Sequence, residues 1–179
     1  MKLNLGCGST PRPGWINVDR LEPADLMMDL DPISGWIQFP YQPESVDEIF
    51  ASHILEHISR ILPLMEECYR VAKPGARFVA RVPYGGSDDA DEDPTHVRRF
   101  FLKSFGYFGQ PWHYRGNVDY RGDWDVQRLY LIGDHPSLAD VISKRNVVRE
   151  MVAEMVAIKP ARPRSQALIV NPQILITDR

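Results

Sequence analysis

The chain has 179 residues, 44% of them hydrophobic and 25% charged, with a formal net charge of −3. That length supports one domain with a real core, read here as 1–179 with a nucleoside-binding part over 1–83 and an acceptor-recognition part over 84–179. No apolar run of about 18 residues is present and the start is not a signal peptide, so a membrane span is not expected and a cytoplasmic protein is.

The first element is a short strand. Leu3 and Leu5 alternate with polar neighbours in KLNLGCG and give way to Gly6-Cys7-Gly8, where glycine lets backbone approach a ligand closely. A second strand, Trp15 to Val18, runs into Asp19. At the carboxyl ends of an open α/β sheet, Gly6, Gly8 and Asp19 converge on one crevice, and Asp19 can accept hydrogen bonds from both hydroxyls of a ribose. The dinucleotide fingerprint needs a third glycine opening a helix. The STPRPG that follows Gly8 is too proline-rich for that, and only 11 positions separate Gly8 from Asp19. A nucleoside without a pyrophosphate is favoured.

The stretch ADLMMDLD, 24–31, reads as a third strand with Asp29 at its end, and Asp31 before Pro32 as a ligand contact or a cap. Trp36 and Phe39 read as core or rim. VDEIFAS, 46–52, is a central strand, and from His53 the apolar period turns helical through Ile54, Ile58, Ile61, Met65, Cys68 and Ala72. Lys73-Pro74-Gly75 ends the helix and 77–83 is another strand, which makes a parallel βαβ unit. His53-x-x-Glu56-His57 matches the inverted zinc-peptidase pattern. A third ligand has no obvious source, so no metal is expected and capping or solvated roles are the default for Glu56 and His57.

Residues 87–93 form an acidic run that reads as a mobile loop, either linker or lid. The DPTHVRRF of 93–100 and nine aromatic residues between Phe100 and Trp124 follow. Residues 124–132 read as a strand ended by Gly133-Asp134-His135-Pro136. Ser137 caps a helix expected to reach about Ile158, with Val141, Val148, Met151, Val152 and Met155 as its stripe. Residues 167–170 and 173–177 remain as strand candidates. Residues 1–97 carry 16 acids against 8 bases, and 141–179 carry 7 bases against 3 acids. Scattered charges of that kind read as solvated surface rather than a nucleic-acid patch. Cys7 and Cys68 read as free thiols.

LNLGCG, GWINVD, the run from VDEIFASHILEHI to RVAKPGARFVARVP, and DPTHVRRF together resemble the small class I S-adenosylmethionine-dependent methyltransferases of the type 11 kind, over roughly residues 2–105. The resemblance implies an α/β, Rossmann-like sheet, mostly parallel with an antiparallel edge strand and a short or absent first crossover helix. It implies S-adenosylmethionine as cofactor, S-adenosylhomocysteine as product, and a small-molecule acceptor of the saccharide or secondary-metabolite kind. Gly6 and Gly8 would meet the donor's amino acid part, Asp19 the ribose, and Asp29 with Leu30 the adenine. Leu5, Cys7, Arg20, Ser52 and His53 would complete the cofactor site. A hydroxyl acceptor would need a base, for which His53 and His96 are the candidates. An idle nucleoside-binding module and a nicotinamide-dependent enzyme are the other classes.

Overall fold

The computed structural model describes residues 1–116, 119–134 and 137–177. Eight strands form one sheet in the order β3-β2-β1-β4-β5-β7-β6-β8. β1 (Lys2–Leu5), β2 (Ile16–Asp19), β3 (Leu26–Met27), β4 (Val46–Ser52) and β5 (Ala72–Pro83) pair in parallel. Strands buried on both faces are expected to be continuously apolar, and Leu3, Leu5, Val18, Ile49, Ala51, Phe78 and Ala80 accordingly have no exposed surface.

No helix joins β1 to β2. In its place the side chain of buried Asn17 accepts from Asn4 at 2.8 Å and donates to Asp25 at 2.8 Å, tying the loop to the sheet. Arg12 then lies over the Phe50 ring at 3.9 Å and the Trp15 ring at 4.7 Å, a cation–π cover for the sheet beside it.

Between β4 and β5 the helical period resolves into a single 3-10 turn, Leu55–His57, and α1 (Ile61–Val71). Asp31 accepts the N–H groups of Ser59 (2.7 Å) and Arg60 (3.1 Å), which ties the segment before α1 to the end of the third-strand region. The buried face of α1, with Leu64, Met65, Cys68 and Val71 at helical spacing, packs into the core with Leu55 and Phe39.

Three expectations fail in the second half. The helix expected over 137–158 exists only as α3 (Leu138–Ser143), with Ser137 forming the expected cap. Residues Val148–Ala157 are instead β7, antiparallel to both β5 and β6 (Trp124–Gly133). Met151, Ala153, Met155 and Ala157 alternate inward, a period of two that the 3–4 spacing of the larger residues conceals. β7 is thus the antiparallel strand of the fold, third from the sheet's end. Residues 167–170 are not a strand, and β8 (Gln173–Thr177) runs parallel to β6. His135 and Pro136, expected to end β6, lie outside the described residues.

The acidic run is ordered. It holds one short turn, α2 (Asp89–Glu92), with Ala90 buried; Arg145 and Asn146 donate to Asp88, and Arg99 and Arg145 pair with Asp91. Cations from remote segments supply the order that its own composition lacks.

Candidate functional site

The carboxyl ends of β1, β2 and β4 open onto a cleft of about 570 Å³, a volume typical of a ligand site. Its walls hold seven of the ten expected cofactor residues: Gly6, Gly8, Asp19, Arg20, Asp29, Leu30 and His53. Leu5 and Cys7 lie buried beneath, and half-buried Ser52 ends β4 without lining it.

Gly6 has φ +64°, and a Cβ there would stand 2.6 Å from Cβ of Ile54, so only glycine fits. Its N–H donates to Val18 O at 2.8 Å, locking the turn to the end of β2. Gly8 has φ +52° with open space beside it, and its N–H donates to Asp19 Oδ2 at 2.9 Å. Leu21 N–H reaches Asp19 Oδ1 at 3.3 Å. Each carboxylate oxygen of Asp19 therefore has one backbone donor and a spare lone pair. Asp29 accepts from Asp31 N–H at 2.9 Å, which shapes the turn beside Leu30.

His53 ends β4 in the left-handed region at φ +52°, a conformation that a non-glycine residue adopts at a cost of order 1–3 kcal/mol. Its N–H donates to Arg81 O at 2.8 Å, and its Nε2 lies 2.9 Å from Glu150 Oε1. Nδ1 lies 3.3 Å from Glu56 Oε1. Contact with Glu56, then the charge of Glu150, holds the imidazole above the ordinary histidine range against its partial burial. Burial works against the charge of Glu150, but Arg81 and then His53 keep its carboxyl below the usual range.

A second cleft of about 350 Å³ adjoins, lined by His53, Pro83, Asp89, Glu92, Asp93, His96, Arg149 and Glu150. His53 is common to both clefts. His96 lines only the second, with Nδ1 3.2 Å from Ala90 O. Among the described residues no aromatic side chain lines either cleft. Phe100, Phe105, Phe108, Tyr120 and Trp124 are buried in the main core rather than in a core of their own, while Trp36 is 75% exposed on another face.

Met28, Ile54, His57, Ile58 and Thr95 also line the first cleft without having been expected there, and Asp31, read as a ligand contact or a cap, lines it too. Thr95 and His57 arrive because the DPTHVRRF stretch lies across residues 56–59. Val97 N–H donates to Glu56 O at 2.9 Å, Arg98 holds Ile58 O and Ser59 O, and Phe100 is buried. The motif is thus a strap across the start of the helical segment.

Residues 22–80 match the family described as Methyltransferase domain. A search of curated proteins finds no match. Among solved structures the chain is similar to a SAM dependent methyltransferase from Archaeoglobus fulgidus, with a TM-score of 0.59 and 15% identity over 87% of this chain and 85% of that one. It is also similar to an S-adenosylmethionine dependent methyltransferase from Mesorhizobium loti (TM-score 0.55, 11% identity, 87% and 89% coverage). A third is a SAM-dependent methyltransferase from Methanosarcina mazei (0.56, 13%, 88% and 92%). At such identities these likenesses speak for the fold. Together with the family match, which spans about a third of the chain, they give it the fold of class I methyltransferases. All three similar proteins are named as dependent on S-adenosylmethionine.

The cleft fits that cofactor by its own features: the glycine turn that a Cβ would fill, the backbone-held carboxylate of Asp19, and the volume. Among the described residues, no helix is long and apolar enough to cross a membrane.

Proposed function

We propose that the chain methylates a small polar acceptor, of the saccharide or secondary-metabolite kind, held in the second cleft. The observation that carries this reading is the position of His53 in the walls of both clefts. Gly6 and Gly8 give the donor's amino acid part its close approach, Asp19 accepts from the ribose hydroxyls, and Asp29 with Leu30 borders the adenine. Leu5, Cys7 and Ser52 shape the floor, and Arg20 the rim. When bound, S-adenosylmethionine supplies a methyl group already activated by its sulfonium. The protein's own work is to orient the acceptor, exclude water and, for a hydroxyl, take its proton. His53 is the proton acceptor on this reading. His96 shapes the acceptor side, since its Nδ1 already engages Ala90 O.

The electrostatics favour a small molecule over nucleic acid. Asp89, Glu92, Asp93 and Glu150 rim the second cleft against a single Arg149, an arrangement that repels phosphates. The basic residues near the C-terminus are used internally: Lys144 pairs with Asp140, Arg145 with Asp88, Lys159 with Glu44 and Arg162 with Asp123.

Incubation with methyl-labelled S-adenosylmethionine and a panel of hydroxyl-bearing small molecules tests the reading, and label is expected in the small-molecule fraction. His53→Ala should lower turnover by roughly 10², the low end for a general base, because both ring nitrogens already face carboxylates. Label appearing only in RNA or protein would refute the acceptor class, and unchanged turnover in His53→Ala would remove the base.

A further inference from the structure

We propose that Glu56, His57 and His96 form a binding site for a divalent transition-metal ion of the zinc or cobalt kind, on the wall between the two clefts. Spacing along the chain offered no third ligand for the His53-x-x-Glu56-His57 pattern. The fold supplies one, in a different set. His53 keeps its two ring nitrogens against Glu56 and Glu150, and the strap of residues 93–100 brings His96 to His57 and Glu56. One donor atom from each of the three lies within 4.8 Å of the others. Donors about 2.0–2.2 Å from a zinc ion would need to draw in by about 1 Å, within the reach of side-chain rotation.

Two independent observations point to a cation. The first is Glu56, which is 1% exposed, with both carboxyl oxygens covered and without a hydrogen-bond partner among the described residues. His53 Nδ1, 3.3 Å away, faces Oε1 as an ion pair, while Oε2 has neither a hydrogen bond nor an ion pair among the described residues. Buried carboxyl oxygens are ordinarily hydrogen-bonded, paired or bound to metal, and Oε2 of Glu56 is none of these.

The second is the setting of the two imidazoles. The Thr95 hydroxyl donates its one proton to Asp93 Oδ1 at 2.6 Å, so at 3.0 Å it can only accept from His57 Nδ1–H. His96 Nδ1–H donates to Ala90 O at 3.2 Å. Both rings therefore carry their lone pair on Nε2. Metal-bound histidines show the same arrangement, the second nitrogen donating to a carbonyl or other acceptor that fixes the tautomer. Asp93 Oδ2, 3.8 Å from His96 Nε2, is within reach as a fourth ligand.

Two imidazoles with one carboxylate select a transition metal over magnesium or calcium, which prefer oxygen alone. The edge-to-face packing of the His57 and His96 rings, with centroids 4.8 Å apart, would by itself account for the ring pair but not for the unpartnered Oε2 of Glu56.

The test is cobalt uptake by the chelator-treated protein, followed through cobalt's visible absorption, with zinc by calorimetry. One ion per chain is expected. Glu56→Gln, which keeps the shape, and His96→Ala should each weaken binding at least 10-fold. S-adenosylhomocysteine calorimetry on the same samples reads the donor cleft separately, and His96 does not line that cleft. No saturable uptake by the wild type, or unchanged uptake in both variants, overturns the site. Cobalt binding in a protein that ignores S-adenosylhomocysteine would uphold the metal site while refuting the donor assignment.

Discussion

Asp19→Ala is expected to weaken S-adenosylhomocysteine binding by about 2–4 kcal/mol, or roughly 30- to 700-fold in Kd, because two ribose hydroxyls lose a charged acceptor. The geometry adds a second loss. Gly8 and Leu21 donate to the same carboxylate, so its removal also releases the glycine turn that shapes the cleft. Asp19→Asn separates the two contributions. Its remaining carbonyl oxygen can still accept from Gly8 N–H, so the turn is retained while the charge is lost, and its affinity should fall between wild type and alanine. Titration calorimetry of the three proteins checks the order. Equal affinity in all three would take Asp19 out of the donor site.

Arg162→Ala should lower the free energy of unfolding by about 3–5 kcal/mol, a large part of the 5–15 that domains typically possess. Asp123 has no exposed surface, and Arg162 supplies it with Nη2 at 2.8 Å and Nε at 2.9 Å. Truncating the arginine leaves that carboxylate buried with only the backbone N–H groups of Gln110 (3.1 Å) and residue 162 (2.8 Å). Asp123→Asn should cost less, because the arginine side chain is 22% exposed and also reaches Asp125. Urea unfolding provides the numbers, and a loss under 1 kcal/mol in Arg162→Ala would mean that the pair is not holding the segment after β7 to the start of β6.

What could be read in the sequence was local. The strand–glycine–strand–carboxylate run from Lys2 to Asp19 forms its turn from residues that are neighbours in the chain, so composition and spacing were enough to predict the crevice. The same holds for β4, the inward stripe of α1 and the capping serine of α3. β7 could not be read in this way. Val148, Met151, Val152 and Met155 satisfy a helical period as well as a strand's, and the decision lies with β5 and β6, which pair with it on both sides. The acidic run looked unable to order itself, yet its partners Arg99 and Arg145 come from outside the run. Likewise His57 and His96 lie 39 positions apart, and nothing in their spacing shows that a strap lays one against the other.

The most direct test of the central claim is calorimetry of the unmodified protein with S-adenosylhomocysteine, S-adenosylmethionine and NAD. The first two are expected to bind at one per chain and, as ligands of the folded state alone, to raise the melting temperature, while NAD leaves both signals unchanged, for want of a pyrophosphate-binding helix after Gly8. Binding of NAD with no response to S-adenosylhomocysteine would contradict the account.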